Sequence, residues 1–206
     1  MSDTKENILM TALCLFAKAG YEAVSVSDIA GELGITKGAL YKHYKSKRDI
    51  FDSIVKRMYL TDMQRAEEYD VPKEKYEAEP KSYENTSAES IKNFTLAQFT
   101  FWTEDEFAAN FRKMLVLEQY HDEKMAKLYT DCITAGPIDY MEDIFREMIA
   151  KGILQKADSK QLALEFYAPL YLLINIADHS EDKEKFKKFL ECHTEQFFRN
   201  NMKQKT

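Results

Sequence analysis

The stretch SVSDIAGELGITKGALYKHYKSKR, residues 25–48, decides the fold of this chain. Ser25 and Asp28 have the spacing of a capping box, which predicts a helix that begins at Val26. Gly34 follows about two turns later. Because glycine tolerates the left-handed conformation that a helix end requires, this residue predicts the end of the helix and a tight turn.

A second short helix is predicted directly after this turn. Thr36 has the side chain of an N-cap, and the helix is expected to run to about Tyr44. Leu40 and Tyr44 are four residues apart and therefore share one face, which we expect to point inward. Residues 25–44 thus predict a helix-turn-helix, a motif whose second helix enters the DNA major groove.

Positive charge is concentrated on the predicted second helix and on the residues directly after it. Between Thr36 and Arg48 there are five basic residues and no acidic residue, although the whole chain has a net charge of −6. Residues 1–60 carry nine Lys or Arg and seven Asp or Glu, a net charge of +2, so the remainder carries −8. Phosphate contacts require such cations, although a solvated lysine-rich surface would also explain the charge alone. One basic end on an acidic chain fits a protein that meets DNA with that end.

The order of these residues resembles the DNA-binding domain of the tetracycline-repressor (TetR) family of bacterial regulators. The resemblance covers about residues 4–62. It rests on LFAKAGYEAVSV at the end of an amphipathic first helix and on the following DIAGELGITKGALYKHYKSKRDIF. So long an ordered pattern is more specific than a generic helix-turn-helix. The resemblance implies a dimeric transcriptional regulator, most often a repressor that binds a palindromic operator in double-stranded DNA and is released by a small-molecule ligand.

The chain as a whole is predicted to be all-α, with about nine helices in two domains. Six glycines, four prolines and 45% apolar residues favour helices over a turn-dense β fold. Residues 1–62 are assigned to the DNA-binding domain, and residues 63–206 to a helical domain for ligand binding and dimerisation. Within the second domain, the charged segment 70–86 predicts a loop. The Gly136–Pro137 pair predicts a break in the helical segment 122–150.

The resemblance also implies which residues contact DNA. Lys37 is the first choice for a base contact, since lysine can donate to guanine O6 and N7. Tyr41 and Lys47 match family positions that bind phosphate. The predicted DNA-binding residues are Ser25, Ser27, Thr36, Lys37, Gly38, Ala39, Tyr41, Lys42, His43 and Lys47. For each of them, simple surface exposure is the alternative.

Aromatic side chains in the second domain predict an apolar ligand pocket. Ligand cavities are mostly apolar and contain a few polar groups. Glu118 is the polar residue that continues an apolar helix face. The predicted ligand-binding residues are Phe94, Trp102, Phe111, Met114, Glu118, Tyr140, Tyr167 and Tyr171. Ordinary core packing is the alternative for the aromatic residues, and solvation at a helix end is the alternative for Glu118. The effector's identity does not follow from these residues.

Two C-terminal helices predict a homodimer. Apolar residues surround the helix over residues 159–177, which predicts burial on all sides. The last helix, at about 182–200, has one apolar face. Such a pair fits a symmetric dimer, and the alternative is a monomer whose last helices close its own core. The predicted interface residues are Phe166, Leu170, Leu173, Phe189, His193 and Phe197.

The sequence predicts no cofactor, no metal site and no enzymatic activity. It contains no GxGxxG, phosphate-binding loop or HExxH motif, and its three cysteines lack metal-ligand spacing. A metal site built from His121 with Glu118 or Asp122 is a minor alternative. Two competing functions remain open. One is a ligand-independent activator or DNA-binding protein, and the other is a helical ligand-binding or enzymatic domain with a relic DNA-binding segment.

A cytoplasmic location without membrane contact is expected. The N-terminus passes directly into an amphipathic helix and has no signal-peptide pattern. The longest apolar stretch, residues 162–177, is too short to span a bilayer and contains Glu165 and Asn175.

Overall fold

Residues 3–203 are described by the computed structural model, and within this range there is no β-strand beyond one isolated bridge. They form eleven helices, α1 (Asp3–Ala19), α2 (Val26–Glu32), α3 (Lys37–Tyr41), α4 (Lys47–Glu68), α5 (Pro80–Asn85), α6 (Ala88–Glu104), α7 (Glu106–Glu118), α8 (Glu123–Ile133), α9 (Ala135–Ala150), α10 (Ser159–Ala177) and α11 (Lys183–Asn201). The all-α fold class is therefore confirmed, with more helices than the nine or so expected.

The helix-turn-helix begins as its capping residues predict. Ser25 Oγ accepts a hydrogen bond from the Asp28 backbone N–H at 3.2 Å, and the Ser25 N–H donates to Asp28 Oδ2 at 2.7 Å. This reciprocal pair is the predicted capping box, and it starts α2 at Val26. Gly34 has a φ of +65°, the left-handed conformation that the turn between α2 and α3 needs.

The second helix of the motif is shorter than predicted. Thr36 caps it, because Thr36 Oγ1 accepts a hydrogen bond from the Ala39 N–H at 3.1 Å. The helix ends at Tyr41 instead of about Tyr44, since the next residues form a tighter turn that closes on the Leu40 carbonyl. Leu40 and Tyr44 are both buried, so the predicted inward face is confirmed.

The chain divides into two compact units. Unit 1 comprises the chain up to Thr61 together with Asp105–Tyr129, and unit 2 comprises Asp62–Glu104 together with the chain from Thr130 onward. The first division lies one residue from the predicted domain end at residue 62. Residues 105–129 differ from the prediction, which put them in the second domain. They belong to unit 1 because α7 packs against α1.

Unit 1 has a core built on α1. Ile8, Ala12 and Phe16 are buried along one side of this helix, and α1 also packs against α2. Tyr21 joins the core through edge-to-face contacts with Phe16 and Phe51, at centroid distances of 5.1 and 5.2 Å. The core that supports the helix-turn-helix therefore contains a cluster of packed aromatic rings.

Unit 2 has an aromatic core between α9, α10 and α11. Phe145 lies at its centre and packs against Phe166, Phe197 and Phe198 at centroid distances of 5.4, 5.3 and 6.3 Å. The predicted break near Gly136 and Pro137 falls slightly earlier, at Thr134 between α8 and α9, so the proline stands in the first turn of α9.

The segment 70–86 is not entirely a loop, because it contains α5. Pro80 begins this short helix, where a missing N–H costs nothing. Tyr83 is fully buried, and its hydroxyl donates to the Glu74 carbonyl at 2.9 Å. The prediction missed the helix because its stability comes from this tertiary anchor.

Among residues 3–203, no helix is both long enough and apolar enough to cross a bilayer.

Candidate nucleic-acid interface

The helix-turn-helix presents most of the predicted DNA-binding residues at the surface. Tyr41 is 50% exposed at the end of α3. Leu40, its neighbour, is completely buried, so α3 is anchored by one face and open on the other. The exposed members of the predicted set are Ser25, Ser27, Thr36, Lys37, Gly38, Tyr41 and Lys42, and the half-buried members are Ala39, His43 and Lys47.

Two of these residues hold the helices and face solvent at the same time. The Ser25 and Thr36 hydroxyl oxygens accept the capping hydrogen bonds of α2 and α3. Each hydroxyl keeps its own proton, which can donate to a phosphate oxygen. The helix N-termini add backbone N–H groups that favour an anion. The same side chains that start the helices are thus suited to hold DNA phosphate.

Lys47 has a different environment from the one predicted. Its Nζ donates to the Tyr21 carbonyl at 2.8 Å and lies 3.4 Å from the Glu22 carbonyl. The ammonium also stands 4.2 Å from the centre of the Tyr21 ring, a cation–π arrangement. Lys47 therefore fastens the turn after α1, and its role as a phosphate contact stays a prediction.

Gly38 has no structural need to be glycine. A Cβ placed on it would meet only Thr36 Oγ1, at 3.8 Å, which is an ordinary contact. Its φ is not in the left-handed region. The remaining reason for glycine is the predicted close approach of a DNA backbone or base.

Replacing Gly38 with alanine is therefore expected to change stability and DNA affinity in opposite directions. Alanine is the better helix former, so the free energy of unfolding should rise by about 0.5 kcal/mol. Affinity for operator DNA should fall, because the added methyl group enlarges the surface that meets the groove. Urea unfolding and fluorescence anisotropy measure the two effects. Unchanged DNA affinity would contradict the close approach.

Glu118 lies in unit 1 and is buried there. Its Oε1 accepts a hydrogen bond from the Tyr21 N–H at 2.8 Å. Gly20, with a φ of +87°, leaves room for this carboxylate, since a Cβ there would lie 2.5 Å from Oε1. Burial also raises the pKa of the Tyr21 hydroxyl. The carboxylate thus holds the turn that leads into the helix-turn-helix, and ligand binding by Glu118 stays a prediction.

The other predicted ligand-binding residues are divided between the two units. Phe111 and Met114 are fully buried in unit 1, and ligand binding by them stays a prediction. The remaining five lie in unit 2, where Trp102 is nearly buried and the others are half-buried. These five, for which ligand binding stays a prediction, are Phe94, Trp102, Tyr140, Tyr167 and Tyr171.

Two of the tyrosines use their hydroxyls inside unit 2. Tyr140 donates to the Pro72 carbonyl at 3.0 Å, and Tyr167 donates to the Ile133 carbonyl at 2.6 Å. Burial raises the pKa of Tyr140 well above its ordinary value, so it remains a neutral phenol. An open polar depression of about 460 Å³ also lies in unit 2. Its lining, which includes none of the predicted residues, is Glu67, Asp70, Val71, Lys73, Ser82, Asn85 and Ser90.

A polar group that the sequence analysis missed is Asp62 in α4. Its pKa is raised, first because protein surrounds the carboxyl, while the Gln98 amide and the Arg65 charge act in the opposite direction. A signal existed in the sequence. Asp62 stands four residues after Met58 and four before Ala66, both of which are buried, although its own surface is exposed.

The predicted dimer residues lie in different environments, and their part in an interface stays a prediction. Phe166, Leu170 and Phe197 are buried within the chain's own unit 2, so they offer no surface to a partner. His193 is half-buried, and its Nε2 lies 3.1 Å from the Phe166 carbonyl oxygen. Phe189 is exposed, and Leu173 is half-buried.

Within the single chain, α10 is not buried on all sides. Leu164, Leu172 and Ile176 are exposed on it, with Leu172 at 58%. They occur at intervals of eight and four residues, and therefore form one apolar row along the helix. Of the α10 residues predicted at the interface, Phe166 and Leu170 are buried and Leu173 is half-buried.

Within the part of the chain that the structure describes, no group of three or more His, Cys, Asp or Glu side chains could hold a metal ion. The alternative of a site at His121 with Glu118 or Asp122 therefore has no third ligand there.

The profile of a family described as "Bacterial regulatory proteins, tetR family" matches residues 8–54. Over 47 residues the chain is 51% identical to the uncharacterized HTH-type transcriptional regulator YerO of Bacillus subtilis, covering 23% of this chain and 16% of YerO. Over 52 residues it is 42% identical to the HTH-type transcriptional regulator AcrR of Shigella flexneri, covering 25% of this chain and 24% of AcrR. Residues 8–54 of this chain are therefore similar to the DNA-binding segment of TetR-family regulators.

The likeness of this chain to solved structures extends over nearly its whole length. It superimposes on the SmeT–triclosan complex with a TM-score of 0.71 and 20% identity, over 98% of this chain and 93% of SmeT. A second structure, of SmeT described as the repressor of the Stenotrophomonas maltophilia multidrug efflux pump SmeDEF, gives a TM-score of 0.65 and 22% identity, over 97% and 90%. At such identity the likeness establishes the fold. The matched sequence segments span less than a quarter of the two curated relatives' lengths.

Proposed function

We propose that this protein is a TetR-family transcriptional repressor that binds a palindromic operator as a homodimer and is released by a small molecule. The observation that carries the proposal is the capped helix-turn-helix, whose α3 presents Lys37, Tyr41 and Lys42 to solvent. The functions of AcrR, a transcriptional regulator, and SmeT, a repressor solved with triclosan, support it. A regulator of this kind acts where the chromosome lies, so the proposal includes a cytoplasmic location.

A homodimer through α10 and α11 forms part of the proposal. The exposed apolar row Leu164, Leu172 and Ile176 and the exposed Phe189 supply a surface for a second copy. A symmetric dimer places two equal reading helices on the two halves of a palindrome.

Release by a ligand would follow from linkage between two sites. A dimer fits its operator when the reading helices lie about 34–36 Å apart. A ligand that binds more tightly to a dimer with another spacing lowers the affinity of that dimer for DNA. By linkage, DNA lowers the affinity for the ligand by the same factor. We assign the transmission to α4, because this single helix of 22 residues contributes to both units.

The first experiment is a fluorescence-anisotropy titration with the intergenic DNA beside the protein's own gene. Scrambled DNA serves as the control, and both are measured at two salt concentrations. We expect selective binding that weakens steeply with salt, because phosphate contacts release counterions. Equal and weak binding to both DNAs would favour a relic DNA-binding segment.

Replacing Tyr41 with phenylalanine is expected to lower operator affinity roughly tenfold, the effect of losing one hydrogen bond to a charged phosphate. The exposed position makes a change in stability small. Tyr120, the most exposed tyrosine, lies outside the motif, and Tyr120→Phe is the matched control. Equal affinities of both variants and the wild type would contradict the phosphate contact of Tyr41.

A further inference from the structure

Tyr21 is held at both its backbone N–H and its carbonyl by charged side chains from two other helices. The N–H donates to Glu118 Oε1 on α7 at 2.8 Å, and the carbonyl accepts a hydrogen bond from Lys47 Nζ on α4, also at 2.8 Å. Hydrogen bonds to ionised groups are stronger than those between neutral groups. This one residue therefore connects the end of α7 to the start of α4 within unit 1.

The contact between Tyr21 and Lys47 closes the segment that contains the helix-turn-helix. Tyr21 stands four residues before the capping residue Ser25, and Lys47 is the first residue of α4 after the motif. The Lys47 ammonium also lies 4.2 Å from the centre of the Tyr21 ring, and two phenylalanine rings pack edge-to-face against that ring. Residues 22–46 therefore leave the core and return to it at one point, which fixes where α2 and α3 stand.

The burial of Glu118 is not explained by stability alone. A buried carboxylate loses its hydration, and apolar residues of similar volume often stabilise a protein equally well or better. Glu118 is only 4% exposed, and Gly20 makes room for it, since a Cβ there would lie 2.5 Å from Oε1. A hydrogen bond is directional, whereas apolar side chains pack in several ways. The carboxylate thus fixes the position of the Tyr21 peptide relative to α7.

The direction of the Lys47 ammonium depends on the same turn. An ammonium group has three N–H donors. The carbonyl oxygens of Tyr21 and Glu22, at 2.8 and 3.4 Å from Lys47 Nζ, take two of them. One donor is left on this half-buried side chain, and the two carbonyls set its direction. The predicted phosphate contact of Lys47 would use this donor, so it too depends on where Tyr21 stands.

We propose that Glu118 is a positioning residue for DNA recognition. It acts through the Tyr21 peptide on Lys47 and on the helix-turn-helix, so that α7 sets the placement of the reading helix without contacting DNA itself. This inference rests on the proposed function, since it adds a residue that decides operator affinity. The sequence analysis predicted Glu118 in a ligand site and gave it no role in DNA binding.

The test compares Glu118→Met with Glu118→Gln in the full-length protein. Both substitutions remove the charge, but only glutamine keeps an oxygen that can accept from the Tyr21 N–H. We expect Glu118→Met to lower operator affinity roughly tenfold and Glu118→Gln to recover most of the loss. Fluorescence anisotropy measures both, at a temperature where circular dichroism shows that both variants are folded. Equal operator affinities of the two variants would overturn the proposal.

Binding to scrambled DNA distinguishes a positioning residue from a merely structural one. Non-specific binding depends on phosphate charge and tolerates imprecise placement of the reading helices, so it should be equal in both Glu118 variants. The ratio of operator affinity to scrambled-DNA affinity should therefore fall in folded Glu118→Met. A structural residue would lower Tm and leave this ratio unchanged. Gly20→Ala, which displaces the same carboxylate, provides the measurement if Glu118→Met does not fold.

Lys47→Met tests whether Glu118 acts through the Tyr21 turn. In the Lys47→Met background the turn is already released from α4, so Glu118→Met should lower operator affinity by less than about threefold. Lys18→Met removes the same charge from an exposed position in the last turn of α1. In that background the roughly tenfold effect of Glu118→Met should persist. The full effect in both backgrounds would overturn the proposed route.

Hydrogen exchange of the DNA-free protein separates this inference from the proposed function. The amides of residues 21–34 should exchange faster in Glu118→Met than in Glu118→Gln, because the unanchored turn opens more often. If the wild type binds its operator while the two variants exchange and bind alike, the inference is wrong and the regulator stands. If exchange differs as expected while the wild type binds no DNA selectively, the coupling stands and the regulator is wrong.

Discussion

Leu172→Glu is expected to separate the proposed homodimer and to weaken binding to a complete palindromic operator by roughly a hundredfold or more. Leu172 is exposed on α10 between Leu164 and Ile176. In a dimer this row would be desolvated, and a glutamate there would be a buried charge without a partner. Its partner copy would carry the same charge at the symmetric position, which adds repulsion. The result would be a folded monomer that reads one half-site weakly.

Sedimentation equilibrium and anisotropy on complete and half operators measure the two consequences of Leu172→Glu. The matched control is Leu117→Glu, which places the same charge on an exposed leucine of α7, outside the proposed interface. Circular dichroism should show equal helix content in both variants. A dimer that persists in Leu172→Glu, or a monomer that binds the complete operator with wild-type affinity, would refute the proposed interface.

The choice of Leu172 shows a limit of sequence periodicity. Phe166 and Leu170 were predicted at the interface, yet they close the core of unit 2. Both a core and an interface require apolar side chains at helical spacing, so the pattern of α10 cannot tell which face meets the chain's own helices. The distinction required the neighbours of each residue, and these come from helices distant in sequence.

The helix-turn-helix was predicted more accurately because its determinants are local. The capping box at Ser25, the positive φ of Gly34 and the cap at Thr36 each involve residues within a few positions of one another. Such short-range chemistry can be inferred directly from the sequence. The end of α3 was less accurate, because Lys42 and His43 are compatible with either a helix or a tighter turn.

Contacts across long sequence separations could not be inferred in this way. Glu118 bonds the Tyr21 N–H, 97 residues away, and the sequence showed only that a carboxylate continued an apolar face. That observation correctly identified Glu118 as unusual. The two partners considered for its carboxylate were a ligand and solvent, and neither is the backbone N–H that it binds.

Gly20→Ala is expected to lower the free energy of unfolding by about 3 kcal/mol, which would lower Tm by roughly 10 °C in a chain of this size. Two costs add. Gly20 has a φ of +87°, where a side chain is strained, and its new Cβ would lie 2.5 Å from Glu118 Oε1. Glu118 would have to withdraw from the Tyr21 N–H, leaving a buried donor unsatisfied. Urea unfolding and calorimetry measure the loss.

The control for Gly20→Ala is Gly31→Ala. Gly31 lies inside α2, its φ is not in the left-handed region, and nothing stands within 4 Å of a Cβ there. The same substitution should therefore leave stability unchanged or raise it by about 0.5 kcal/mol through helix propensity. If both variants lost the same stability, the effect of Gly20→Ala could not be assigned to its φ and the carboxylate.

A double-mutant cycle separates the two costs at Gly20. Glu118→Ala alone removes the partner of the Tyr21 N–H and should cost about 1–3 kcal/mol. In the Gly20→Ala background that hydrogen bond is already broken, so Glu118→Ala should cost much less there, and it should relieve the overlap. The backbone strain from the φ of +87° would persist in the double variant. Additive losses would mean that Gly20 and Glu118 act independently and that the carboxylate does not depend on the missing Cβ.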